Sequence, residues 1–115
     1  MVLEPGRCEL RISRRRAVLS HVGTVHAIAM GNTAELAAGM ATEVTIPTSL
    51  RWTPKGMNVE YLRKATTNLK AKAIVAAPAR WNAATDLPVP VHVTDATGSL
   101  VVQASVRMWI TAGKR

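Results

Sequence analysis

Apolar and polar residues alternate with a period of two near the start of the chain and again along four later stretches, separated by one long stretch that does not alternate. In Arg7 to Val18 the pattern opens as a strand, with Leu10 and Ile12 set against Glu9, Arg11 and Ser13. After a turn-prone Thr53-Pro54-Lys55-Gly56, Met57, Val59 and Tyr61 alternate with Asn58 and Glu60. Asn68 to Ala77 sets Leu69, Ala71 and Ala73 against Lys70 and Lys72. Val89, Val91 and Val93 form a further apolar row, and Leu100, Val102, Ala104, Val106, Met108 and Ile110 form the longest. Thr94 to Ser99 is a tight connection, with Gly98 free to take positive φ, so it predicts an antiparallel hairpin. Val101, Gln103, Ser105, Arg107 and Trp109 make the opposite face of the last strand mixed, as in a sheet with one face in water.

The non-alternating stretch predicts a helix from about Val25 to Met40, with Thr24 as a cap and Gly39 as a stop near its end. Ala and Gly occur on all its sides and polar residues are few, so the helix is expected to be central and buried, with strands approaching it closely. Strand, helix and four antiparallel strands make one α+β domain over 1–115, with no linker, repeat or low-complexity segment. Glu35 stands out in this frame. It is the only Asp, Glu, Lys or Arg between Arg16 and Glu43. A carboxylate withdrawn from water costs several kcal/mol unless paired, so it implies a structural partner or a chemical task. Asn32, one turn earlier, is placed to hydrogen-bond it.

Composition narrows the function classes. The net charge is +8 with a pI near 10.9, which admits a polyanionic partner. Yet the Arg14-Arg15-Arg16 run has no interleaved aromatic residues, and the chain lacks a zinc-ligand set, a stacking platform and a recognition helix, so nucleic-acid binding ranks last. Cys8 is the only cysteine; no internal disulfide is possible, and a lone strand cysteine is read as a packing residue and not as a nucleophile. No metal set is expected. Ala17 to Ala41 is interrupted by Ser20, His21, His26, Asn32, Thr33 and Glu35, so no membrane span is expected. The N-terminus lacks the basic-then-apolar order of a signal peptide, which points to the cytoplasm.

Gly23-Thr-Val-His26 followed by Glu35 resembles the hotdog-fold acyl-CoA thioesterases, particularly the branch related to the phenylacetate-pathway enzyme. Those proteins show an Asn, a Gly three residues on, a His three further and an acidic residue nine beyond. Gly23, His26 and Glu35 match in register, while Ser20 stands where the Asn is expected. Gly56 to Leu62 is similar to the family's second strand, and Val93 to Ala104 to its closing hairpin, so the resemblance covers roughly Arg7 to Thr111. It implies one long central helix wrapped by a five- to six-stranded antiparallel sheet, two copies joined edge to edge as a homodimer, a possible homotetramer as a dimer of dimers, and a site at the interface. At 1.5 Å per residue, His26 and Glu35 lie roughly 13 Å apart along one helix, too far to act on one carbonyl carbon. Two copies resolve this.

The resemblance implies thioester hydrolysis. The amide of Ala27 at the helix start would hold the thioester oxygen, with His26 shaping the turn. Glu35 of the partner copy would activate water as a base or attack directly; the sequence leaves both routes open. Ser20, Gly23, Asn32 and Thr53 are supporting candidates. The family often sets a Ser or Thr just before the second strand, and here Pro54 falls near that position with Thr53 beside it. Arg63, Lys64 and Arg80 are candidates for the phosphates of coenzyme A, which enters as a thioester substrate with no other cofactor. The runner-up is a hotdog module that binds acyl-CoA or a related thioester without turning it over. A hotdog dehydratase is disfavoured by the lack of the paired His and acidic motif.

Overall fold

The computed structural model describes residues 2–12, 23–62, 68–76, 78 and 80–113. Among them, strands β1 (Val2–Glu4), β2 (Arg7–Ile12), β3 (Leu50–Tyr61), β4 (Leu69–Ile74), β5 (Thr85–Thr94) and β6 (Leu100–Ala112) form one sheet, crossed by helix α1 (Gly23–Glu43). The sheet order is β1-β2-β4-β5-β6-β3, and every neighbouring pair is antiparallel. The expected α+β architecture of one long helix against an antiparallel sheet is therefore present, at the upper end of the expected strand number.

Every second residue of the inner strands faces the helix. Ala71 and Ala73, Val89, Val91 and Val93, and Val102, Ala104, Val106, Met108 and Ile110 are buried, as are Ala34, Ala37, Ala38 and Ala41 of α1. With methyl groups on the helix side, its backbone sits close over the sheet. Thr42, buried on the same face, satisfies its hydroxyl by donating to the Ala38 carbonyl at 2.7 Å. The β1–β2 turn is tied to the helix end: the Gly6 amide donates to Thr45 Oγ1 at 2.7 Å, and the Val75 amide donates to the Gly6 carbonyl at 2.9 Å. Gly6 takes φ +89° there, and Gly98 takes +86° in the β5–β6 hairpin, as expected for the latter. Asp95 Oδ1 organises that hairpin by accepting from the amides of Thr97 and Ser99.

Four expectations are corrected. The helix begins at Gly23 and continues to Glu43, so Thr24 is inside it and Gly39 does not stop it. Gly39 instead admits the Trp52 ring, since a Cβ there would lie 3.0 Å from Trp52 Cη2. The helix is not buried on every side, because Asn32, Glu35, Leu36 and Glu43 are exposed. Thr53 to Gly56 is no turn; it lies within the 12-residue β3, which absorbs it through a bulge between Pro54 and Gly56 opposite Met108 and Arg107. The short β1, too brief for a periodicity signal, also escaped the sequence pattern. Arg14 to Arg16 lie outside the described residues.

The closeness of helix and sheet gives a direct test. Ala38→Leu adds three heavy atoms where there is no space and should destabilise the fold by about 1–3 kcal/mol, read as a lower urea midpoint at unchanged slope. An unchanged midpoint would show that the interface is loose.

Candidate active site

The face of α1 turned away from the buried alanines carries the candidate groups. Residues 32, 35, 36, 39, 40 and 43 recur at helical spacing and line one side of a groove of about 590 Å³, whose other side is Trp52 and Pro54 of β3. Glu35 and Pro54 also border a smaller cavity of about 290 Å³ with Lys55, Gly56, Met57 and Val106. Glu35 thus stands where two cavities meet, on the helix flank facing the outermost long strand. It is exposed, so the burial expected for it is not supplied by the single chain.

Register decides which residues of β3 face this groove. Trp52 pairs with Ile110, Pro54 with Met108 and Met57 with Val106, all buried partners on the helix side of the sheet. Thr53 pairs with Trp109 and by strand alternation occupies the opposite face. The structure therefore brings Asn32 and Pro54 to Glu35 and leaves the Thr53 side chain on the other side of the sheet. Lys55 is also turned to that outer face, where its ammonium lies 3.6 Å from Asp86 and 4.6 Å from the centre of the Trp109 ring.

Gly23, His26 and Ala27 fall within the first five residues of α1. The amides without a partner inside a helix lie in its first turn, so this group stands toward the donor-bearing end. Along the axis this turn is about 13 Å from Glu35, measured from His26. Arg80 is exposed in the β4–β5 connection, next to Trp81, which packs on the core, and it does not line the groove. Ser20, His21, Arg63 and Lys64 lie outside the described residues.

Trp52, Leu36, Met40 and Glu43 were not singled out in the sequence, yet they form most of the groove. The Trp52 indole N–H donates to a Glu43 carboxylate oxygen, which fixes the ring across the groove. The alternation Leu50, Trp52, Pro54 was the available signal, masked by the proline. Among the described residues no group of three or more His, Cys, Asp or Glu side chains could hold a metal ion. No helix among them is long and apolar enough to cross a membrane.

The family model described as a domain of unknown function, DUF4442, matches residues 1–110. The chain belongs to this family. Among solved structures, a structural-genomics protein aligns with this DUF4442 chain at 42% identity and TM-score 0.84, covering 98% of this chain and 76% of that one. A thioesterase family protein from Silicibacter pomeroyi aligns at 20% identity and TM-score 0.77, covering 98% and 83%. A Streptococcus mutans protein bound to acetyl-CoA aligns at 17% identity and TM-score 0.78, covering 100% and 91%. No curated protein matches the sequence. The DUF4442 chain thus has the hotdog fold of thioesterase-family proteins, as its resemblance implied.

Cys8 sits apart from this site. It is fully buried on β2, and burial pushes its thiol above the ordinary range, which disfavours the reactive thiolate. Native protein should resist a thiol-specific disulfide reagent such as DTNB and react promptly once unfolded; rapid native labelling would contradict this packing.

Proposed function

We propose that this chain is an acyl-CoA thioesterase whose site is completed by a second copy. The observation that carries the reading is the position of Glu35, an exposed carboxylate between two cavities on the flank of the helix, with the donor-bearing helix start out of its reach in the same chain. In a dimer, Glu35 of one copy would face the helix start around Gly23, His26 and Ala27 of the other. Hydrolysis adds water to the thioester carbonyl carbon and breaks the carbon–sulfur bond. As base, Glu35 would take the water's proton and return it to the departing thiolate, while helix-start amides hold the oxyanion. As nucleophile, it would form an anhydride that water then opens. The acetyl-CoA bound by the Streptococcus mutans protein of the same fold supports the substrate class.

Two features support the second copy. Among the described residues β3 is an edge strand of 12 residues, with a neighbouring strand on one side only, a ready template for another chain. On its helix side, Tyr61 is 47% exposed and Met57 is 36% exposed, with Leu62 at 48% just beyond the strand, so α1 leaves an apolar strip uncovered. A second reading, a binder that does not turn its thioester over, is favoured by Pro54: where the family often has a Ser or Thr to orient water, the side chain facing Glu35 has no donor or acceptor.

Glu35→Ala should lower kcat on a panel of acyl-CoA thioesters by about 100-fold or more, measured as thiol release. Equal rates in wild type and variant would remove Glu35 from the chemistry, and saturable binding without thiol release by wild type would select the binder. Separately, Tyr61→Asp should shift the protein from dimer to monomer in sedimentation and abolish turnover with it. A wild type that sediments as a monomer at micromolar concentration would overturn the shared site.

A further inference from the structure

The groove beside Glu35 has a defined end. Its floor is apolar, built from Leu36, Gly39 and Met40 on one side and Trp52 on the other, and Glu43 lies at the far end, two turns of helix beyond Glu35. Trp52 is held there from both directions. Its backbone is paired with Ile110 in the sheet, its ring rests against Gly39, and its indole N–H is bonded to the Glu43 carboxylate. A side chain fixed in this way is a wall and not a swinging contact, because displacing it breaks the hydrogen bond and the ring contact with Gly39 together.

We infer that Trp52, locked by Glu43 and Gly39, sets the length of acyl chain that the groove accepts. This rests on the acyl-CoA reading of the site and adds a ruler to it. With the thioester carbonyl at Glu35, the acyl chain runs along the helix toward the ring that rests against Gly39, over four residues or about 6 Å. At ordinary carbon–carbon bond lengths an extended chain of about four to six carbons fills that distance. Shorter chains leave apolar wall in water; longer ones meet the indole. The occupant is a short unbranched acyl group, since the floor offers apolar contact and its polar groups stand at the two ends, with Glu43 engaged by Trp52.

Binding tests this independently of turnover. With Glu35→Ala protein, dissociation constants for a series of straight-chain acyl-CoA thioesters should fall about three- to fourfold per added methylene up to that length, then stop falling. In the Glu35→Ala background, Trp52→Leu keeps an apolar residue in β3 and should carry the break to chains longer by several carbons. Glu43→Ala, which frees the indole, should move it in the same direction. Gly39→Ala pushes the ring by a few tenths of an ångström and should weaken the longest accepted chains first. An affinity that does not vary with chain length, or a break that stays in place in Trp52→Leu, overturns the ruler; if these variants alter self-association instead, the groove belongs to the second copy. Failure of the enzymatic reading looks different: wild type releases no thiol from any member of the series, while the break and its movement in Trp52→Leu persist.

Discussion

The contact between four alanines and the sheet is the constraint on which the rest depends. Ala34, Ala37, Ala38 and Ala41 are wholly buried, and they bring α1 down onto the sheet, chiefly over β2, β4 and β5. Chains with large residues at such an interface hold the helix farther out and cover more of the sheet. The helix lies mainly over β2, β4 and β5, and the far side of the sheet, β6 and β3, receives less of it. The helix keeps a second flank on which Asn32, Glu35, Leu36 and Glu43 are exposed. The groove is the space between that flank and the uncovered strand.

The polar residues on the outer face of the sheet are ordered by the same pleat. Glu9 opposes Lys72, Lys72 opposes His92, His92 opposes Gln103 and Gln103 opposes Glu60, so one polar row crosses five strands. Opposite charges in such a row contribute a few tenths of a kcal/mol each, and they keep this face in water. Part of the basic surplus is thus paired locally: Lys70 lies 3.9 Å from Glu9, and Arg7 lies 2.9 Å from Glu4. This suits a solvated surface better than a nucleic-acid groove.

The sheet was legible in the sequence because period-two rows of Val, Ala and Met leave little choice of register once one face is buried. Gly98 identified the hairpin for a similarly local reason. The helix was legible in kind but not in orientation, since alanine on every side has no preferred face and only the packed structure shows which alanines point at the sheet. From this followed the misplacement of Glu35 in the interior: absence of other charges was read as absence of water. Its isolation among uncharged residues selected Glu35 and the resemblance gave it a register with Gly23 and His26, while Thr53 was chosen by proximity to Pro54 along the chain, which ignores that adjacent strand residues face opposite ways. Proline and glycine near Lys55 signalled a turn; an edge strand tolerates both, because one row of its amides needs no partner within the sheet.

The bulge that absorbs that Pro-Lys-Gly segment also keeps time. Pro54 and Met57 both face the helix side because Lys55 is an extra residue, unmatched across from Met108 and Arg107. A residue inserted just after Met57 would turn every later side chain over, exposing Val59 on the outer face and carrying Asn58 and Glu60 inward. At Lys55 the loss of one residue only restores an unbroken two-residue rhythm. The edge strand therefore has one place, the bulge, where its length is free to change over evolutionary time without changing which face meets the groove.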